Sequence, residues 1–174
     1  RYYQCAKEFS IDPIVRITSD NPVVDPEIID LAIEKFEKEE FDMVTTCNLR
    51  SYPYGISVEV FSFNALEKSW KESTLPSERE HVTFYLWMQP ERFKIFRHDY
   101  PEDLSKFRFN LDYLQDYCLI RSVFESLYPK NNCFTMEDVI KWLKENPEIL
   151  KFNDNIESNQ GWKKSFEEAK KRNS

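Results

Sequence analysis

The sequence predicts an α/β fold in which a mixed, mostly parallel sheet is flanked by helices. Three observations carry this. Short β-branched runs alternate with stretches whose apolar residues recur at the helical period. One helix joins the first run to the second, and a helical crossover between strands implies parallel strands with a right-handed connection. Finally, 174 residues with 41% hydrophobic and 16% aromatic content suffice for one domain with a substantial core and are too few for two.

Arg1-Tyr2-Tyr3-Gln4-Cys5-Ala6-Lys7 reads as the middle of a helix, so residues upstream of Arg1 are expected. Pro13 to Thr18 is a β-branched strand run, followed by the turn residues Ser19-Asp20-Asn21-Pro22. Asp25-Pro26-Glu27 starts a helix to about Glu39, with Ile28, Ile29, Ala32, Ile33 and Phe36 on one face. Met43 to Thr46 is a short buried strand, and Ile56 to Phe61 a second with clear alternation. Helices are expected near Ala65 to Ser73 and Glu80 to Met88, and strands at Phe93 to Phe96 and Phe107 to Leu111. Tyr113 to Leu127 is a helix with Leu114, Tyr117, Cys118, Ile120, Phe124 and Leu127 facing the core. Thr135 to Glu145 is another, with acids in its first turn. Residues 1–155 form the α/β domain, and 156–174 a polar, helical C-terminal tail.

Composition removes several functions. Acids exceed Lys and Arg by 31 to 24, for a formal charge of -7, which is not the basic footprint of a nucleic-acid binder. Cys5, Cys47, Cys118 and Cys133 show no zinc spacing and are expected as reduced thiols of a cytoplasmic protein. No apolar run approaches a membrane span. With only 2 glycines, the chain holds no glycine-rich phosphate loop. A phosphate-bearing substrate would need a carboxylate-held metal, a few placed cations, or helix N–H groups.

In open α/β sheets ligands gather outside the carboxyl ends of parallel strands, and Asp20 stands where the strand ending at Thr18 runs out. Its carboxylate either holds a hard divalent cation or makes an Asx-turn. Asp112 ends another predicted strand; Asp112-Tyr113-Leu114-Gln115 also has the form of a capping box, and the two roles are compatible. Arg79-Glu80-His81 places three ionisable groups at a predicted helix start, where structural or substrate-positioning roles outrank catalysis. Arg50 and Arg108 could each hold a carboxylate or phosphate bidentately, against the ordinary reading of a surface arginine.

Taken in order, Ile17-Thr18-Ser19-Asp20-Asn21-Pro22 with Asp25-Pro26, Tyr52-Pro53-Tyr54-Gly55 with Val58-Glu59-Val60-Phe61, Arg79-Glu80-His81-Val82-Thr83, and Arg108 with Leu111-Asp112 and Asp116-Tyr117 resemble the motif set of the spore-coat polysaccharide cytidylyltransferases, relatives of acylneuraminate and ketodeoxyoctonate cytidylyltransferases. The resemblance implies a Rossmann-like nucleotidyltransferase fold that joins a nucleoside triphosphate, typically CTP, to a sugar and releases pyrophosphate. By it, Asp20 and Asp112 match the metal-binding acids, for magnesium or manganese, and Pro53, Gly55 and Glu59 match the sugar-side loop and strand. Arg50, Arg79, Glu80, His81 and Arg108 are the remaining expected substrate contacts. An acidic nonulosonic sugar or a related surface-glycan sugar is the expected acceptor.

The family's opening strand and Gly-rich, Arg/Lys-bearing loop have no counterpart here. These 174 residues alone are therefore expected neither to bind a nucleoside triphosphate tightly nor to turn over. A competing reading is a noncatalytic sugar-binding or oligomerisation remnant of the same fold. A metal-dependent sugar transferase ranks below both, because no Asp-x-Asp occurs. Apolar residues crowd Ser77 to Met88; together with the resemblance they imply a homodimer, with burial in the chain's own core as the alternative.

Overall fold

The computed structural model describes residues 1–47 and 51–156. Its helices are α1 (Tyr2–Glu8), α2 (Pro26–Lys38), α3 (Phe63–Glu72), α4 (Pro76–Glu80), α5 (Phe84–Trp87), α6 (Leu114–Leu127), α7 (Met136–Glu145) and α8 (Pro147–Leu150). The strands β1 (Ile14–Arg16), β2 (Met43–Thr45), β3 (Glu59–Phe61) and β4 (Ile95–Arg97) form one sheet in the order β1-β3-β2-β4. β2 and β4 are parallel, whereas β3 is antiparallel to both of its neighbours.

The sheet is mixed, as expected, but among the described strands only the β2–β4 pairing is parallel, where mostly parallel pairing was expected, and its adjacency differs from the simplest strand-helix-strand reading. β1 and β2 do run the same way, and β3 lies between them. A helical crossover dictates common direction and leaves room for an inserted strand, which the return from β2 supplies. The register aligns Arg16, Glu59, Thr45 and Arg97 in one row at the carboxyl ends of β1, β2 and β4.

Strand alternation divides the interior in two. Val44 and Val60 face a core built with Ile28 and Ala32 of α2, Leu119, Ile120 and Val123 of α6, and Val139, Ile140 and Leu143 of α7. Their sequence neighbours Met43 and Phe61, with Ile14, face the other side against α1, α3 and α5. Asp25 links two of the helices: one carboxylate oxygen accepts from Glu27 N (2.9 Å) to start α2, and the other from Met136 N (2.7 Å) at the start of α7. Thr135 and Asp138 complete the α7 capping box.

Two helix expectations are corrected. Leu114 (74% exposed) and Tyr117 face solvent, and α6 instead buries Asp116, Leu119, Ile120 and Val123, the i, i+3, i+4, i+7 set. The stretch expected as one helix from Glu80 breaks: α4 ends there, Val82 takes φ 53°, and α5 begins at Phe84. Phe84, Tyr85 and Leu86 enter the core, so the apolar density of this segment is satisfied within the chain and gives no argument for a dimer.

Residues 107–111 form no regular strand and pair, among the described residues, by one parallel bridge, Tyr54 to Arg108. Tyr54 N donates to Phe107 O (2.8 Å), and Phe109 N donates to Tyr54 O (2.6 Å). Gly55 makes this approach possible. Its φ is +103°, and a Cβ there would stand 2.6 Å from both Asn110 N and Phe109 C, closer than backbone atoms allow. Gly55→Ala should cost about 1–3 kcal/mol, read as a lower melting temperature without loss of the helical circular-dichroism signal.

Candidate active site

The loop after β1 meets the segment 107–111. Leu111 N donates to the carbonyl oxygen of Asp20 (2.9 Å), which ties the two together. Alternation along the segment sends Arg108, Asn110 and Asp112 to one side. The side-chain nitrogen of Asn110 donates to Asp20 Oδ2 at 2.9 Å and reaches Asp112 Oδ2 at 3.4 Å. Two acids far apart in sequence therefore converge on one donor, as the expectation of a shared site requires. Asp20 is held here from across the fold, by Asn110.

Behind the pair lies a buried ion pair. Arg108 donates from Nε to Asp116 Oδ1 (2.8 Å), and from Nη2 to Asp116 Oδ2 (3.0 Å) and Asp112 Oδ2 (2.6 Å). The Arg108 and Asp116 side chains are 5% and 0% exposed. Asp116 also accepts from the backbone N–H of Asp112 and Tyr113, both at 3.1 Å, and from Asn153 Nδ2 at 2.9 Å. Asn153 Nδ2 further donates to Arg108 O (3.1 Å). The helix-start duty expected of Asp112 is thus carried by Asp116, one residue beyond Gln115 of the expected box, and Asp112 is left to face Arg108 and Asn110.

Charge follows from this arrangement. Arg108 is shared between Asp116 and Asp112, so one cation faces three acids, Asp20, Asp112 and Asp116, around the neutral amide of Asn110. Burial disfavours the charged guanidinium, but hydrogen bonds from Arg108 to Asp116 and Asp112 outweigh it and hold its pKa above the ordinary value. Burial likewise works against the Asp116 carboxylate; Arg108, Asn153 and the two backbone N–H groups outweigh it and hold its pKa below the ordinary value. A depressed folded pKa contributes stability above the unfolded value, near 4, that is lost as pH falls through the folded value. Thermal melts taken below about pH 4 should show this loss, and Asp116→Asn, less stable at neutral pH, should lack that part of the decline.

The donor set suits a hard cation. Among the described residues no group of three or more His, Cys, Asp or Glu side chains is placed to share a metal. Magnesium, however, is commonly held by one or two carboxylates with substrate phosphates completing its shell. Asp20 Oδ1 is buried without a hydrogen-bond partner among the described residues, as are both side-chain atoms of Asn21. An unpartnered oxygen on Asp20, whose other oxygen shares the Asn110 amide with Asp112, fits a cation site.

Several other expected contacts are committed to protein partners. Glu59 is 3% exposed; it accepts from Arg16 Nη1 (2.6 Å) on one oxygen and from Thr83 Oγ1 (2.8 Å) and Trp87 Nε1 (3.3 Å) on the other. It braces the sheet to the α4–α5 connection, so the substrate role expected of it is not supported. Arg79 donates to Trp70 O and Ser73 O, both at 2.8 Å, closing the end of α3, and Arg108 is the buried brace described above. Glu80 and His81 stand at the end of α4 instead of at a helix start. Arg79 and Glu80 line a cavity of about 210 Å³ with Tyr2, Tyr3 and Trp70, apart from Asp20 and Asp112. Pro53 is buried, and its carbonyl accepts from Ile56 N (3.2 Å) in the turn that carries Gly55. Arg50 lies outside the described residues.

Asn110 and Asn153 were not among the expected site residues. The alternation Arg108, Asn110, Asp112 on a strand leading into an acid is a readable pointer to the first. Nothing local points to Asn153, whose partners lie far away in sequence.

The fold is that of an α/β nucleotidyltransferase: a solved cytidylyltransferase from Leptospira borgpetersenii matches it with a TM-score of 0.82 and 34% identity, over 90% of this chain and 64% of that one. The chain belongs to the cytidylyltransferase family, whose model matches residues 1–123. An uncharacterized protein of Methanocaldococcus jannaschii is 38% identical over 158 residues, covering 90% of this chain and 63% of that protein. The spore coat polysaccharide biosynthesis protein SpsF of Bacillus subtilis is 29% identical over 138 residues, covering 78% of this chain and 56% of that protein. The chain thus spans less than two thirds of the length of the curated relatives it matches. α7, α8 and Asn153 lie beyond the family match, yet Asn153 closes the site's buried ion pair.

Proposed function

We propose that the complete protein is a cytidylyltransferase that activates a sugar as a nucleotide-sugar for surface or spore-coat polysaccharide, acting in the cytoplasm. The observation that carries this reading is the convergence of Asp20 and Asp112 on Asn110 in a chain of this family. Asp20 and Asp112 would hold a magnesium or manganese ion, which supplies charge neutralisation at the reacting phosphates. Arg108, Asp116 and Asn153 keep Asp112 in place, and the bridge from Tyr54 and Gly55 sets the backbone of Asn110. In the reaction a sugar hydroxyl forms a new bond to the α-phosphorus of CTP while the bond to the β-phosphate oxygen breaks, releasing pyrophosphate; the hydroxyl proton is lost to solvent. An acidic nonulosonic sugar is the acceptor class we favour, because acylneuraminate cytidylyltransferases are relatives of the spore-coat family that the sequence resembles.

The test is pyrophosphate release by the gene's full-length product, screened across CTP, UTP, ATP and GTP with neutral and acidic sugars. The expected result is metal-dependent release with CTP and one sugar class. No release with any pair, alongside retained sugar binding, would favour a noncatalytic sugar-binding protein. No helix among the described residues is long and apolar enough to cross a membrane.

A further inference from the structure

The geometry points to Asn110 as the positioning residue of the acid pair: its side-chain amide holds Asp20 and Asp112 converged, and it is displaced from between them when a divalent cation binds. This rests on the proposed cation site. Asn110 is 4% exposed, and its backbone is pinned on both sides. Tyr54 bonds Phe107 and Phe109 just before it, Leu111 bonds Asp20 just after it, and Gly55 packs against its own N–H with no room for a Cβ. The backbone that carries the amide is thus fixed, and its side chain alone is free to respond.

Its single nitrogen carries two protons, one available for each acid. The bond to Asp20 at 2.9 Å is well formed, and that to Asp112 at 3.4 Å is long, the geometry of a donor spanning a gap. The two acids differ in what else holds them. Asp112 has Arg108 at 2.6 Å. The Asp20 carboxylate has Asn110 on Oδ2, and its buried Oδ1 has no hydrogen-bond partner among the described residues. Asn110 therefore sets where Asp20 points. A neutral amide between two carboxylates offsets their repulsion only in part, and a cation satisfies them better. The amide nitrogen occupies the space on which both oxygens converge, so cation entry requires it to leave or to turn its oxygen inward.

Manganese and magnesium titrations of the 174-residue chain test this. The parent should bind Mn2+, observed by the loss of free-ion electron paramagnetic resonance signal, and Asp20→Asn should bind much less. Asn110→Ala should weaken Mn2+ binding at least tenfold at a temperature where its melt shows it folded. The second readout does not depend on any variant folding. Added Mg2+ should move the Asn110 side-chain NH2 resonances of the parent protein, assigned through its own backbone. Equal Mn2+ affinity in Asn110→Ala and the parent, or Asn110 resonances that stay put while those of Asp20 move, overturns the inference and leaves the cation site standing. A parent chain that binds no Mn2+ overturns the cation site and this inference with it.

Discussion

Arg108→Ala should lower stability by about 3–5 kcal/mol, because it removes one member of a buried ion pair and leaves the other charge behind. Asp116 is 0% exposed and would keep only Asn153 and the N–H groups of Asp112 and Tyr113 to offset its desolvation. For a domain of this length each kcal/mol corresponds to roughly 2–4 °C, so the melting temperature should drop by roughly 10 °C. Asp116→Asn added to Arg108→Ala should recover part of the loss, since it removes the orphaned charge and retains an acceptor for the helix-start N–H groups. Urea melts of the parent, the two single variants and the double variant would measure the coupling. An Arg108→Ala protein as stable as the parent would mean that the guanidinium is not the brace of this site. Asn153→Ala should act in the same direction with a smaller effect, about 1–2 kcal/mol, because it deletes a neutral donor to a group that keeps its countercharge.

Much of the architecture was legible from residue order. The Asp25-Pro26 start, the amphipathic face of α2, the strand runs and the placing of Asp20 beyond the end of β1 all follow from local chemistry, which tertiary packing here reinforces. What escaped depended on distant partners. β3 enters between β1 and β2 because of how the connection folds back, which alternation within Glu59–Phe61 does not encode. The break at Val82 puts a β-branched residue at φ 53°, a conformation such residues rarely adopt and local propensity argues against. The capping role passed from Asp112 to Asp116 because the helix begins one residue later, leaving Gln115 out. Glu59, Arg79 and Arg108 carry the charges a phosphate or sugar site would use, but their neighbours in space, Arg16, the end of α3 and Asp116, claim them. Asn153 reaches the site from beyond the family match, so no motif contained it.

Asp20→Asn should separate activity from stability more sharply than any other change at this site. Asn keeps the size of the side chain and, through its oxygen, can still accept from Asn110 Nδ2, so the link between the β1 loop and residues 107–111 survives. It also removes one of two like charges facing a neutral amide, and it puts an amide nitrogen where a buried carboxylate oxygen has no partner among the described residues. The melting temperature should therefore stay within a few degrees of the parent, in either direction. Turnover by the full-length protein depends on the charge that was removed. If the pair holds a metal against the phosphates, losing one carboxylate should lower turnover about a hundredfold or more, equivalent to about 2.7 kcal/mol of transition-state stabilisation. Raising the magnesium concentration should restore part of it, since weaker binding is overcome by mass action. Parallel melts and pyrophosphate-release rates decide between the two roles open to this residue. A variant that melts many degrees lower and loses activity only in proportion would make Asp20 a structural tie between loop and strand, and the metal would then have to be held elsewhere.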